Sequence, residues 1–195
     1  KKICFESAKN LFNRGPDILK TNYFLKNTLF IANTVLSITG KLNKSKNLVS
    51  SQNKNFFISF NGEIYNYKLL NDTYINEKRF ETDTEVLVNL HQKLKFDKIP
   101  SILNGMFSYA VLDFKKKQIK IATDPQGEKN LYYYNDSKYL IISSTIKSII
   151  IFLKKNEINF EIDHSVIKDY FSTRHYMPVD KTCFKKLKIL NNANI

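Results

Sequence analysis

The period of the apolar positions changes several times along the chain, and each change marks an element. Phe56-Phe57-Ile58-Ser59-Phe60 is a short apolar run rich in aromatics, the signature of a buried strand. Residues 23–25 and 29–32 are strand-like on either side of Lys26-Asn27. Residues 107–114, 118–122, 131–134 and 139–142 form further short strands, and their spacing of about ten residues predicts antiparallel pairing. Helical spacing replaces alternation in four places. Ile3, Phe5, Ala8, Leu11 and Phe12 form one stripe, ending before Gly15-Pro16. Val86, Leu87, Leu90 and Leu94 line a second helix, Ile146, Ile149, Ile150 and Leu153 a third, and Val166, Ile167, Tyr170 and Phe171 a fourth. Helices laid over antiparallel strands predict an α+β sandwich.

The polar residues that interrupt this pattern carry the chemistry. The apolar run runs into Asn61-Gly62-Glu63, followed by Tyr65-Asn66-Tyr67 at the start of a short helix. Asn-Gly is a strong hairpin signal. A side-chain amide beside a glycine N–H is also a two-donor cradle for a developing oxyanion, and the neighbouring carboxylate suits a substrate ammonium. The residues themselves leave both readings open. Thr82 or Asp83 is placed to cap the second helix, with Glu85 in its first turn. Asn104-Gly105 forms a turn before the strand at 107–114, and Ser143-Ser144-Thr145 opens the third helix.

Composition narrows the choices. A chain of 195 residues, 43% hydrophobic, is long enough for one well-buried domain. It has no run of 18 or more apolar residues and no charged-then-apolar leader, so neither a membrane span nor a membrane partner is expected. Cys4 and Cys183 are too few for a disulfide framework, and a cytoplasmic location is the expectation. The net charge of +13 raises nucleic-acid binding. The lysines are scattered, however, with runs only at Lys115–Lys117 and Lys185-Lys186, so no nucleic-acid partner is expected. His91, on the second helix, is placed at its polar edge, His164 in a turn and His175 at a helix end. They form no cluster with metal-ligand spacing, and no glycine loop cradles phosphate. The chain starts at Lys1 and stops after the apolar stretch around Leu190, which reads as one domain cut from a longer protein.

Four segments in order carry a family resemblance: Arg14-Gly15-Pro16-Asp17, the FNGEIYNY of 60–67, the TDTEV of 82–86 and the LNGMFSYAVLD of 103–113. Together they resemble the N-terminal glutaminase domain of glutamine-hydrolysing asparagine synthetases, a class II glutamine amidotransferase, from about Ser7 to Leu190. The resemblance implies the four-layer α-β-β-α sandwich of N-terminal nucleophile hydrolases, with its first strand missing here. It implies residues 1–160 as the amidotransferase-like domain and 161–195 as the start of the connection to a synthetase domain. L-glutamine is the implied ligand, attacked by an N-terminal cysteine whose own α-amino group is the base. Asn61 and Gly62 fall on the oxyanion hole, and Glu63 and Asp83 on the substrate-binding carboxylates. No cofactor is implied for this domain. ATP and Mg belong to the synthetase domain, the implied partner in the same chain, and a homodimer is a further possibility.

Several residues depart from the family pattern. The segment that supplies the arginine clamp for the substrate carboxylate is Val35-Leu36-Ser37-Ile38, so Val35 stands at the lost clamp beside Ser37. Lys41 and Lys26 are the nearest cations to it. The family's Arg-Asp is Thr123-Asp124, its loop aromatic and proline are Gln126 and Asn130, and its Ser-Ser-Glu is Ser143-Ser144-Thr145. Cys4, ten residues before Arg14 on the first helix, is too close to be the nucleophile, which is therefore absent. Cys4 and Cys183 read as structural. Two expectations follow: a glutaminase domain supplying ammonia for ATP-dependent amidation of aspartate, or a degenerate, non-catalytic scaffold on the same fold.

Overall fold

The computed structural model describes residues 1–13, 15, 17–35, 48–173 and 181–190. Helix α1, Lys2–Lys9, runs into a 3-10 turn at Asn10–Asn13. Strands β1, Ile18–Phe24, and β2, Leu29–Val35, form an antiparallel hairpin. A four-stranded antiparallel sheet follows, ordered β3-β4-β5-β6, from β3, Leu48–Ser50, β4, Phe56–Ile64, β5, Gly105–Asp113, and β6, Gln118–Thr123. Between β4 and β5 lie α2, Tyr67–Leu70, α3, Asp83–Lys93, and α4, Ile99–Ile102. Strands β7, Tyr132–Asn135, and β8, Leu140–Ser143, precede α5, Ile146–Lys155, and α6, His164–Thr173. Strand β9, Leu187–Ile189, returns to pair with β7, giving a second sheet in the order β8-β7-β9.

Strand β4 organises the sandwich because successive side chains point to opposite faces. Ile58, Phe60 and Ile64 face α3 and are buried with Val86, Leu87, Leu90, Phe107 and Tyr109 in the main core. Each such side chain contributes about 1.5–3 kcal/mol when fully buried. The opposite face carries Phe57, Ser59, Asn61 and Glu63, and Phe57 packs on the β1–β2 hairpin. There the rings of Phe24 and Phe57 lie 4.8 Å apart, edge to face. Behind the hairpin comes α1 with its following turn, where the Thr34 hydroxyl donates to the Leu11 carbonyl at 3.1 Å. The order α3, sheet, hairpin, α1 is the four-layer α-β-β-α arrangement. A second core of Tyr134, Ile149, Leu153 and Leu187 fixes α5 on the β8-β7-β9 sheet.

One open choice is decided and three expectations are corrected. Asn61-Gly62 is no hairpin turn; β4 continues through it to Ile64. His91 is buried, not at a polar edge. Its ring stands within 6 Å of those of Phe56, Phe96 and Tyr109. Phe5 on α1 and Phe12 in the 3-10 turn after it are exposed, and Ser7 and Ala8 are the buried residues of α1. On α6 only Val166 is buried, leaving Tyr170 and Phe171 exposed.

Candidate functional site

The candidate site lies along β4 from Phe60 to Ile64. Among the described residues, β3 pairs with β4 only as far as Leu48 with Ser59, and the outer edge of β4 beyond that point takes bonds from other elements. Gly62 stands opposite Phe107 on β5. The N–H and C=O of Phe107 both bond to Asp124 on the far side, at 3.2 and 2.8 Å. In an antiparallel ladder the polar groups of directly opposed residues then face away from each other, so the Gly62 N–H points to the outer edge of β4. The neighbouring even positions agree. The Phe60 carbonyl accepts from the Asn33 amide of β2 at 2.8 Å, and the Ile64 N–H donates to Asp83 Oδ2 at 3.0 Å. The Gly62 N–H therefore lies between two anchored positions, with Asn61 half-buried beside it.

Only glycine can occupy position 62. Its φ is +145°, and a Cβ there would stand 2.1 Å from the Met106 carbonyl oxygen and 2.7 Å from the Phe107 Cα. Gly105 mirrors it across the ladder, with a Cβ position 2.1 Å from the Glu63 carbonyl oxygen. Two missing side chains let β4 and β5 close up at the site.

The acidic side is built by the start of α3. Thr82 is the N-cap: its hydroxyl accepts from the Glu85 N–H at 3.3 Å, and the Glu85 carboxylate accepts from the Thr82 N–H at 3.2 Å. This capping box satisfies donors at the helix start and leaves the next side chain, Asp83, directed at β4. Asp83 Oδ1 takes the Thr84 N–H at 2.6 Å while Oδ2 takes that of Ile64. Burial holds the Asp83 carboxyl above its ordinary pKa. The backbone bonds from Ile64 and Thr84 oppose that rise, and the nearby Glu63 charge adds to it. Glu63 itself is exposed at the edge. The Glu63 charge lies near enough to Asp83 to be felt there, and a cation between two such carboxylates would relieve their repulsion.

Val35 ends β2 opposite Ile18, two residues beyond the Asn33 anchor. Lys26 is at the other end of the same hairpin, roughly 20 Å along the strand from Val35. Ser37, Lys41, Arg14, Pro16 and His175 lie outside the described residues. Cys4 and Cys183 are half-buried free thiols, and His164 is exposed on α6. Among the described residues no group of histidine, cysteine and carboxylate side chains could hold a metal, and no helix is long and apolar enough to cross a membrane. Sequence reasoning passed over Asn33; an asparagine on a strand carries no signal until the two sheets are stacked.

A family model described as the glutamine amidotransferase domain matches residues 1–195. The chain belongs to the glutamine amidotransferase domain family. It is similar to asparagine synthetase (glutamine-hydrolysing) 1 of Bacillus subtilis, 32% identical over 175 residues, 88% of this chain and 26% of that protein. Asparagine synthetase B of Escherichia coli is 29% identical over 77% of this chain and 27% of its own length. A Methanocaldococcus jannaschii protein bearing the asparagine synthetase name provisionally is 39% identical over 59% of this chain and 22% of its own. The chain thus spans about a quarter of the length of these relatives. Among solved structures, a glutamine phosphoribosylpyrophosphate amidotransferase from B. subtilis overlays 63% of this chain and 29% of its own, with a TM-score of 0.50 and 22% identity, which shows a shared fold.

Proposed function

We propose that this domain releases ammonia from L-glutamine within a longer glutamine-dependent synthetase of the asparagine-synthetase kind, whose ATP- and Mg-dependent portion amidates aspartate. The observation that carries the reading is the edge of β4. There an amide side chain and a glycine N–H lie beside an acidic pair, two strand positions from Gly62 to the Asp83-bound Ile64, roughly 7 Å. That is the length scale of one small amino acid. Glu63 and Asp83 hold the α-ammonium, and the carboxamide carbonyl lies against Asn61 and Gly62. A cysteine thiolate at the mature N-terminus, upstream of Lys1, adds to the carboxamide carbon. The oxyanion is held by the two N–H donors. Its collapse expels ammonia as the α-amino group returns the proton, and water then hydrolyses the thioester to glutamate. Residues 161–195 lead on toward the synthetase portion.

Val35 in place of the clamp and Thr123 in place of the family's arginine favour a second reading, a non-catalytic scaffold on the same fold. Intact mass and terminal sequencing of the mature full-length protein, with a glutamate-release assay, separate the two. A first residue of cysteine with glutamate release above the enzyme-free rate supports the enzyme. Any other first residue with no release supports the scaffold.

A further inference from the structure

Among the described residues Asp124 is a fully buried carboxylate to which the functional reading gives no part in holding substrate, with 0% of its surface exposed. Its Oδ2 accepts the N–H of Phe107 at 3.2 Å and of Lys129 at 3.1 Å, and its Oδ1 accepts the N–H of Glu128 at 2.9 Å. Its own N–H donates to the Phe107 carbonyl at 2.8 Å, and its carbonyl accepts the Gly127 N–H at 3.0 Å. Burying an ion is costly unless donors compensate it. Here backbone donors from a strand and a loop converge on one side chain. Burial would raise its pKa, yet the N–H groups of Glu128, Lys129, Phe107 and Gly127 hold it below the ordinary carboxylate value.

We propose that Asp124 is a positioning residue of the oxyanion cradle, which sets the place of the Gly62 N–H through Phe107. This rests on the functional reading above. Phe107 is both the residue Asp124 grips through its N–H and C=O and the residue opposite Gly62. Its Cα stands 2.7 Å from where a Gly62 Cβ would be. With no side chain at 62 to set the spacing, the backbone of Phe107 is the wall against which Gly62 rests. The paired β5–β6 ladder ends at Ser108 with Thr123, one residue before this point, so on the side away from β4 the bonds to Asp124 take over from the ladder. An asparagine at 124 offers one acceptor oxygen and turns an NH2 toward backbone donors.

In the full-length protein, Asp124→Asn is expected to lower kcat for glutamate release by about tenfold to a hundredfold, the scale of one misaligned oxyanion donor. KM for glutamine should change less than about twofold, because Glu63 and Asp83 are untouched. With selective glycine labelling, the Gly62 amide resonance should shift. Leu153→Ala, in the separate core under α5, is the stability control. At matched loss of melting temperature it should leave kcat per folded molecule and the Gly62 resonance unchanged. Gly127→Ala, at φ +70° in the loop that supplies the donors, should act like Asp124→Asn but more weakly, and serves if that variant does not fold. An unmoved Gly62 amide, or a kcat loss no larger than that of Leu153→Ala, overturns the inference. A wild-type protein that releases no glutamate overturns the functional reading instead, and the Gly62 resonance then still decides the role of Asp124.

Discussion

Gly62 shows how one missing side chain sets the packing of a strand pair at the candidate site. Its Cβ position is occupied by main chain of β5, which cannot swing aside as a side chain can. Gly62→Ala is therefore expected to cost at least about 3 kcal/mol, from a steric clash and an unfavourable φ together. Urea denaturation checks this, and a loss under about 1 kcal/mol would mean that β4 and β5 separate easily. Asp83 gives a pH prediction at the same scale. Only its ionised form attracts an ammonium, and burial raises its pKa. Glutamine affinity is expected to fall as pH drops from neutral through that raised value, earlier than an ordinary aspartate would dictate. Titration calorimetry across that range tests it, and a flat affinity would remove Asp83 from the ammonium site.

At the scale of elements, the N-terminus of α3 couples stability to the site. Thr82→Ala removes the hydroxyl half of the capping box and is expected to destabilise the domain by about 1 kcal/mol. It should also weaken glutamine binding, because Asp83 is the next residue; a stability loss without a binding loss would uncouple the two. The other end of α3 carries His91, buried among aromatic rings, with no hydrogen-bond partner at Nε2 among the described residues. Burial first, then the nearby Lys120 charge, drives its pKa down to about 3 from an ordinary 6.5. Between those values the unfolded chain binds a proton that the native state refuses. The contribution of neutral His91 is thus fully present above the ordinary pKa and lost as pH falls toward about 3. His91→Phe should flatten the acid limb of a stability-versus-pH curve. An unchanged limb would mean that the ring is solvated on the native side.

For the whole molecule, the clamp position that the family resemblance implies is Val35, at the end of the hairpin that Asn33 ties to β4. Val35→Arg in the full-length protein is expected to strengthen glutamine binding about tenfold or more if the clamp is the missing part, since a charge-assisted pair contributes on the order of 1.5–3 kcal/mol. Calorimetry showing no gain would turn attention to Thr123 and the 124–129 loop. Much of the architecture was legible from the chain. Phe56–Phe60, the short strands and the stripes of α3 and α5 follow from periodicity, and Thr82, Asp83 and Glu85 advertise a helix start. Periodicity misjudged the ends that depend on partners. The stripe of α6 buries only Val166, because the described residues bring little against Tyr170 and Phe171.

The chain by itself determined which residues could form an oxyanion pair and an acidic pair, because an amide, a glycine and a carboxylate in order are local facts. It left Asn61-Gly62 poised between turn and strand, since a glycine accepts either backbone and only a neighbour decides. Tertiary structure decided for the strand, by pressing Phe107 and Met106 into the space of the missing Cβ. It also brought Asp83 from 19 residues away onto the Ile64 N–H, and Asp124 from 17 residues away onto Phe107. Those bonds depend on how helices and loops stack on the sheet, and no periodicity along the sequence encodes that.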